Sequence, residues 1–408
     1  MASNKQNNKY DDNKKKSTGK KRNKEEIARD KFEVDLSSSG KKKVSKTPKP
    51  KNPFKRLAIA LFPQKNDTKG EKGRKILLLV AIAILIGTLA YLLSQLINLA
   101  YNNAKNKALA DSAGNPMDNS GAYNEPDRLA NPDWNIRTTA GDEDPEYIDL
   151  TPVVNTPLNT NFDYLRGINP DTRAWVKITG TQLNNVVLQR KNESNDSNYY
   201  LTHDFYGNES KSGEIFSTWR NNWDGTDDNI ILFGHNMASG DCFAYVMHYV
   251  PNDASREPLA FYKVHPTILF QQDGGQSETY KVFAGMLVNT QKEYGEVFDY
   301  TTKTQFNSAD EFNRYILDVM DRSWFYTDVD IQYGDKLLTL STCYWPLGRS
   351  IETRWVILAR KVRPGESEYV DTSVAERNWG AKLFDYYYQI INTQWYGSNW
   401  DTSKLLSY

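Results

Sequence analysis

The chain has 408 residues, of which 51 are Lys or Arg and 51 are Asp or Glu, so its formal net charge is zero. This balance hides a division, because residues 1–75 carry 24 basic and 9 acidic side chains and residues 76–408 carry 27 and 42. The two parts therefore have net charges of +15 and −15. Two cysteines exclude a disulfide-rich scaffold. A hydrophobic content of 39% excludes a wholly disordered chain and is enough for a real core.

Residues 1–75 form a basic arm whose composition predicts disorder. Lys, Asn, Ser and Asp dominate its first 52 residues, which leaves too little apolar surface to offset chain entropy. Within the arm, FKRLAIALFP at residues 54–63 is either a short interfacial helix or a spacer. A basic arm of this kind indicates a nucleic acid or an anionic lipid surface as its partner.

Residues 76–101 predict one transmembrane helix. The chain has no charged residue between 76 and 104, and about 20 apolar residues suffice to cross a bilayer. Only two basic residues follow closely, whereas four precede the segment: Lys69, Lys72, Arg74 and Lys75. The positive-inside rule then places the N-terminus in the cytoplasm and the rest outside, which favours lipid over nucleic acid as the partner of the arm.

A cleaved signal peptide is the alternative for this apolar segment. The letters ALA at residues 108–110 resemble a cleavage site. However, the basic lead and the apolar run are both longer than a signal peptide has. An uncleaved single-pass anchor is the better interpretation.

Beyond the helix the sequence divides into three further parts. Residues 102–145 are rich in Asn, Asp, Gly and Pro without periodicity, and predict an extracellular linker that spans roughly 35–40 Å as a flexible coil. Residues 146–363 read as a domain of short β-rich segments separated by turns, which predicts a barrel or a sandwich. Residues 364–408 form an aromatic-rich extension in which we expect a helix around 375–393, packed on the domain or on a partner.

Seven segments of the domain predict strands, and one predicts a helix. The strand segments are AWVKI (174–178), NVVLQ (185–189), NIILF (229–233), TILFQ (267–271), TYKVFAGMLV (279–288), KLLTL (336–340) and RWVILAR (354–360). The helix begins with a capping box formed by Ser308 and Glu311. Apolar residues then follow at helical spacing: Phe312, Tyr315, Ile316, Val319 and Met320.

Two potentially reactive side chains lie directly after predicted strands. Cys343 follows KLLTL and His235 follows NIILF, while Arg354 begins the next strand after Cys343. A Cys and a His that are distant in sequence suit a nucleophile and its acid–base partner. The alternative is a small buried Cys and a surface Arg. Cys242, seven residues after His235, is either a redox partner of Cys343 or a buried residue at a helix start.

The flanking motifs resemble those of the sortases, and of class B sortases in particular. TLSTC at residues 339–343 matches the TLxTC signature of that family. The other similarities occur in the family's order: INPDTRAWVKITGT (168–181), YYL (199–201) with Phe205, SGEIF (212–216), FGHNM (233–237), YGDKLLTLSTC (333–343) and RWVILARK (354–361). The predicted helix occupies the place of the helix that class B members insert before the Cys strand. One departure is NVVLQ at residues 185–189, which lacks the Pro of the similar YPVVQ segment.

The resemblance implies a mainly β fold: a sortase-type eight-stranded β-barrel with an N-terminal helix and an inserted helix before the Cys-bearing strand, preceded by one transmembrane helix. It implies Cys343 as nucleophile, His235 as general acid and Arg354 as donor to the oxyanion, with Arg349 as a second candidate for the arginine. The implied substrate-binding residues are Ser341 and Thr342 in the groove, Asn236 beside the His and Tyr344 through its backbone N–H. The resemblance requires no metal and no organic cofactor.

The implied activity is that of a cysteine transpeptidase in the cell membrane of a Gram-positive bacterium, with its catalytic domain outside. Its partners would be surface proteins with an NPxTG-like or LPxTG-like sorting signal and the amine of a lipid-linked peptidoglycan precursor, not nucleic acid. Three alternatives stay open: a pilus-assembling sortase that uses a pilin Lys, an inactive sortase-like interaction module, and another cysteine enzyme such as an L,D-transpeptidase. The last carries its Cys in a Ser-His-Gly-Cys context, whereas Cys343 follows Ser-Thr.

Overall fold

A computed structural model describes residues 52–117, 150–190, 196–253, 255 and 257–406 of the chain. Contacts divide the chain into two compact units, residues 1–90 and residues 91–408. The predictions for residues 1–51 of the arm and 118–145 of the linker lie outside the described residues.

The described part of the first unit consists of helical segments. Helix α1 (Pro53–Leu61) has Asn52 as its N-cap, and the Asn52 side chain accepts a hydrogen bond from the backbone N–H of Phe54 at 2.9 Å. The next helix, α2 (Lys69–Ser112), is the one helix of the described residues that is long and apolar enough to cross a membrane. It is consistent with a single-pass anchor.

Helix α2 extends further than the sequence predicted. It runs through residue 112, so the start of the predicted linker at residue 102 is helical. Two properties explain the difference. The sequence contains no Gly or Pro between residues 88 and 113, and the end of the helix is held by packing, because Leu109 and Ala110 are buried in the second unit. Gly114, with φ of +85°, follows the helix end.

The second unit begins with α3 (Phe162–Ile168), β1 (Thr172–Lys177), β2 (Asn184–Leu188), β3 (Ile215–Ser217), β4 (Asn229–Phe233), α4 (Ala260–Val264), β5 (Thr267–Gln272) and β6 (Ser277–Asn289). It continues with α5 (Ala309–Arg322), β7 (Phe325–Tyr326), β8 (Ile331–Gln332), β9 (Leu337–Cys343), β10 (Thr353–Lys361), β11 (Glu376–Arg377), α6 (Asp385–Ile391) and β12 (Leu405–Leu406). Short 3₁₀ turns connect several of these elements.

Eight of these strands close into a barrel in the order β1-β2-β3-β4-β9-β10-β6-β5. The predicted eight-stranded barrel is therefore confirmed. All seven strand segments of the sequence analysis lie in it, and the eighth strand, β3, was missed because it has only three residues. Strand β9 pairs in parallel with β4 and antiparallel with β10, an arrangement that brings the ends of three strands together.

Helix α5 is the inserted helix before the Cys-bearing strand. The hydroxyl of its N-cap, Ser308, accepts a hydrogen bond from the Glu311 backbone N–H at 3.2 Å, as a capping box requires. The five apolar residues predicted at helical spacing are all buried. They join an apolar cluster with side chains of β6 and β10, including Met286 and Val356.

The C-terminal extension contains less helix than predicted. Helix α6 covers seven residues of the expected 375–393. The neighbouring residues pair instead with strands outside the barrel: β11 with β7, and β12 with β8. The aromatic side chains find their burial in this docking rather than on one face of a helix, and both Phe384 and Trp400 are buried.

A buried ion cluster lies at the end of β10 away from Cys343. Arg360 is only 1% exposed, and its guanidinium donates to carboxylate oxygens of Asp330 and Glu366, each at 2.7 Å. Partial burial opposes ionisation of Glu366, but hydrogen bonds from Arg360 and Lys281 outweigh it and hold the pKa of this carboxyl well below its ordinary value of 4.5. The buried Arg360 is therefore paired with carboxylates, which offset the cost of removing its charge from water.

Replacing Arg360 by Met should lower the free energy of unfolding by about 3–5 kcal/mol, because the partly buried carboxylates of Asp330 and Glu366 lose the buried cation that pairs with them. The depressed pKa of Glu366 adds a pH signature. Its stabilisation is complete above pH 4.5 and is lost as the pH falls through the folded-state value, so the loss below pH 4.5 should be smaller in the variant. Urea unfolding of the full chain in detergent measures both effects. Arg314→Met, at an exposed position of α5, is the control, and equal urea midpoints for the two variants would contradict the assignment.

Candidate active site

Cys343 is the last residue of β9 and lies between the two strands that carry its neighbours. On one side, antiparallel pairing places Arg354 of β10 directly opposite Cys343. Directly opposed residues point to the same face of a sheet, with Cβ atoms about 4.5–5.5 Å apart. On the other side, parallel pairing of β4 aligns Phe233 with Ser341, so His235 leaves β4 at the same end of the barrel. Cys343, His235 and Arg354 thus come from three adjacent strands.

The surroundings of Cys343 keep its thiol largely neutral at rest. Burial raises the pKa of the half-buried Cys343, the positive charge of Arg354 lowers it, and the nearby Glu352 carboxylate raises it. The net effect is a pKa above the ordinary value of 9.0. A thiol of this kind needs a base to take its proton when it attacks.

His235 sits in a loop that is tied to the rest of the barrel at several points. Its Nε2 lies 2.8 Å from the carbonyl oxygen of Leu201. Because a carbonyl oxygen only accepts, this contact places a proton on Nε2. A Cβ on the preceding Gly234 would come within 2.9 Å of the Phe243 ring, so only glycine suits this position. The ring of His235 therefore has a defined anchor and a defined protonated nitrogen.

Asn236 connects the His235 loop to the cysteine strand. Its side-chain amide donates to the backbone carbonyl of Cys343 at 3.2 Å, and its backbone forms an isolated bridge with Cys242. The resemblance implies a substrate-binding role for this residue. Its contacts in the structure hold the loop and the nucleophile strand together.

The structure does not place Ser341 and Thr342 in the groove as the sequence predicted. Each is 1% exposed. The Thr342 hydroxyl donates to the Gly234 carbonyl at 2.8 Å, and the Ser341 hydroxyl shares a 2.7 Å hydrogen bond with that of Tyr300. Both side chains are covered by neighbouring segments and use their hydroxyls internally.

The backbone N–H of Tyr344 is also engaged, contrary to its predicted place in an oxyanion site. It donates to the carbonyl of Thr353 at 3.2 Å, and the Thr353 hydroxyl donates back to the Tyr344 carbonyl. These bonds close the connection between β9 and β10 just beyond Cys343. Arg354, the other predicted oxyanion donor, lies directly opposite Cys343.

Arg349 and Cys242, the other candidates, are not at the centre of this arrangement. Arg349 is exposed and stacks on the Trp345 ring, 5.2 Å from its centroid. Cys242 is buried, and its thiol donates to the Ser212 carbonyl at 3.1 Å. Both cysteines of the chain are free thiols. Of the two arginines, only Arg354 lies opposite Cys343. Cys242 is packed inside the domain.

Tyr300 is a neighbour of the site that sequence reasoning missed. It lies in the irregular segment after β6, where no periodicity marks it. Burial raises its pKa to about 12, although the hydrogen bond with Ser341 and the charge of Arg354 lower it. Tyr300 therefore covers β9 from outside, close to Arg354 and Cys343, as a neutral hydroxyl.

No group of three or more His, Cys, Asp or Glu side chains with metal-binding geometry occurs among the described residues. The reactive side chains at this end of the barrel are a thiol, an imidazole and a guanidinium. This set is suited to acyl transfer through a covalent intermediate.

Comparison with known proteins places these residues in a family. A family model described as "Sortase domain" matches residues 176–362. Sortase B of Listeria monocytogenes is 30% identical over 195 residues, which cover 47% of this chain and 70% of the relative. Sortase B of Staphylococcus aureus is 29% identical over 186 residues, or 46% of this chain and 68% of the relative.

Solved structures of sortase B also match. That of Clostridium perfringens is 28% identical, covering 50% of this chain and 100% of the other, with a TM-score of 0.42. A Staphylococcus aureus sortase B–substrate complex is 27% identical, covering 50% and 84%, with a TM-score of 0.41. The sequence relationship and the barrel described above establish that this chain belongs to the sortase family, among the class B sortases.

Proposed function

We propose that this protein is a membrane-anchored cysteine transpeptidase. It cleaves a Pro-x-Thr type sorting signal after the Thr and transfers the surface protein to a cell-wall amine. The observation that carries the proposal is the convergence of Cys343, His235 and Arg354 from adjacent strands at one end of the barrel. Membership in a family of cysteine transpeptidases supports it.

In the first half of the reaction, the Cys343 sulfur attacks the carbonyl carbon of the Thr. The thiol proton passes to His235, and His235 delivers it to the leaving amine as the peptide C–N bond breaks. Arg354 lies opposite the sulfur, where its permanent charge stabilises the oxyanion that develops on the carbonyl oxygen. The product is a thioester between Cys343 and the Thr.

In the second half, an acceptor amine attacks the thioester carbon. The amine loses a proton to His235, the C–S bond breaks, and the departing sulfur of Cys343 takes the proton back. Atoms and charges balance without a further reactant. The chain therefore ends the cycle in its starting state, with the acceptor joined to the surface protein by an amide bond.

The decisive experiment traps the thioester. The full chain in detergent micelles is incubated with NPxTG-like and LPxTG-like peptides, and mass spectrometry is used to find an acyl adduct on Cys343. If the adduct disappears when a peptide with an N-terminal glycine is added, the result supports transfer to a cell-wall acceptor. Transfer to a lysine side chain would favour pilus assembly instead. If the wild type forms no adduct with any peptide, or if Cys343→Ala still cleaves, the proposed function is wrong.

The two arginines near the site give a matched pair of variants for the same assay. Arg354→Lys keeps the charge but removes the fork of donors, and should lower kcat by about 100- to 1,000-fold, as the loss of an oxyanion donor does. Arg349→Lys, at the exposed position over Trp345, should leave kcat within about twofold. The reverse order would assign the oxyanion role to Arg349.

The raised pKa of Cys343 predicts a pH profile for its alkylation. Because only the thiolate reacts, the rate with iodoacetamide should rise with pH and reach its midpoint above 9.0. Arg354→Met removes a positive charge and should move the midpoint upward, whereas Glu352→Gln removes a negative charge and should move it downward. Buried Cys242 should not be labelled in the native protein, and a midpoint below 9.0 would contradict the electrostatic description.

We further propose that α2 spans the cell membrane once, with the N-terminus in the cytoplasm and the barrel outside. The unequal basic flanks of the apolar segment support this orientation. Protease added to intact cells should digest the barrel and spare a tag fused to residue 1. Digestion of the tag with survival of the barrel would reverse the orientation.

A further inference from the structure

The C-terminal extension, residues 364–408, lies beyond the part of the chain that the sortase family matches, which ends at residue 362. It is nevertheless built into the domain. Ala375, Asn378 and Phe384 are all buried, and the extension makes specific polar contacts with two segments that border the active site.

The first route reaches Tyr344, the residue after the nucleophile. Arg377 donates to the Trp324 carbonyl at 2.8 Å and lies 4.9 Å from the centroid of the Trp324 ring. Trp324 packs edge-on against Trp355 of β10 at 5.3 Å, and Trp355 in turn packs against Tyr344 at 6.3 Å. The Asn378 side chain donates to the backbone just before Trp324 at 2.7 Å. A continuous chain of contacts thus leads from the extension to the segment beside Cys343.

The electrostatics of Tyr344 indicate the same proximity. Burial raises the pKa of Tyr344, and Tyr387 of the extension and Asp253 raise it further, while Arg377 lowers it. Arg377 also pairs with Asp253 at 2.9 Å. The phenol of Tyr344 is therefore enclosed partly by the extension.

The second route reaches the β6 loop, residues 290–298. Lys382 pairs with Glu296 of this loop at 3.0 Å, and the rings of Tyr386 and Tyr294 lie 5.0 Å apart. Gly295, with φ of +118°, lets the loop backbone approach the extension so closely that a Cβ there would be 2.8 Å from the Asp385 carboxylate. The extension and the loop are in van der Waals contact over several residues.

The β6 loop in turn holds the residue before the β10 strand. Thr290 donates through its backbone N–H and its hydroxyl to the Glu352 carbonyl, at 3.1 and 2.9 Å. The Glu352 N–H donates to the Gln291 side chain at 2.7 Å. Glu352 lies two residues before Arg354, and its charge acts on Cys343. The first route therefore ends at Tyr344, the residue after Cys343. The second ends at Glu352, two residues before Arg354.

We propose that the C-terminal extension is a positioning element of the active site: through Trp324 it fixes Tyr344, the residue after Cys343, and through the β6 loop it fixes Glu352, two residues before Arg354. This inference rests on the proposed function, because the walls it sets are those that hold the sorting peptide. The extension acts through these segments and does not itself touch the reacting atoms. Its loss should therefore weaken peptide binding and leave the intrinsic reactivity of the thiol intact.

Two lysines of the extension give a matched test. Lys382 pairs with Glu296 of the β6 loop, whereas Lys404 pairs with Asp328, in the segment that leads to the buried cluster around Arg360. Both lysine side chains are 28% exposed. Exposed pairs contribute little to stability, so Lys382→Met and Lys404→Met should both fold. The experiment compares KM and kcat for the sorting peptide in the full chain in micelles.

Lys382→Met should raise KM two- to fivefold, and Arg377→Met should raise it about tenfold, because small displacements of positioning groups are amplified in peptide binding. Lys404→Met should match the wild type. Alkylation of Cys343 by iodoacetamide, which needs no groove, should stay within about twofold in all three variants. If Lys404→Met impairs binding as much as Lys382→Met, or if none of the variants alters KM, the extension has only a general structural role.

A readout that needs no peptide separates this inference from the proposed function. Amide hydrogen exchange in residues 290–298 should be faster in Lys382→Met than in the wild type and unchanged in Lys404→Met. If the wild type proves inactive while this difference appears, the proposed function fails and the positioning contact stands. If exchange is the same in all proteins, the positioning contact is overturned even in an active enzyme.

Discussion

The pairing of β9 with its two neighbours is the constraint on which the active site depends. β9 runs antiparallel to β10, so the residue opposite its last position, Arg354, starts the partner strand. It runs parallel to β4, so both strands finish at the same end of the barrel and the His235 loop emerges there. Side chains alternate between faces along a strand, and a slip of one residue would turn Cys343 to the other face. Closure of the barrel removes free edges and helps to prevent such a slip.

The same location sets the chemical state of the nucleophile. Burial beside the β9–β10 connection disfavours the thiolate, and Arg354 opposes that effect only in part. A permanently ionised thiol would be more reactive toward oxidants and metals as well as toward substrate. In the proposed mechanism, the neutral thiol loses its proton to His235 only during attack, which restricts its reactivity to the moment when a carbonyl is present. In the same proposal, Arg354 acts first on the thiolate and later on the oxyanion.

The sequence predicted the regular parts of this structure and missed the parts that depend on tertiary contacts. Long β-branched runs such as that of β10, and the helical period of α5, are local signals, and both predictions are confirmed. β3 has three residues and carries no such signal. Burial of Ser341 depends on Tyr300, which reaches it from a segment 41 residues away. No local pattern reveals which face of a strand another segment will cover.

The extension was misjudged for a related reason. A helix was expected around residues 375–393, but apolar side chains stabilise a helix only when one face can be buried. Here Ala375 and Asn378 are buried beside β11, an extended segment paired with β7. Docking to the barrel satisfies the backbone of this segment without a helix. Composition correctly indicated that the extension packs, but not in which conformation.

The C-terminal end of α2 is also held by tertiary contacts with the barrel domain. Lys105 of α2 pairs with Asp204 at 3.3 Å, with both side chains less than 10% exposed, and Asn106 donates to Asp241 at 3.0 Å. Burial raises the pKa of the nearby Glu214 to about 7, although Lys105 lowers it. Without Lys105, this group of carboxyls would be buried with no cation, which is costly. Residues 105–113 are therefore part of the catalytic unit.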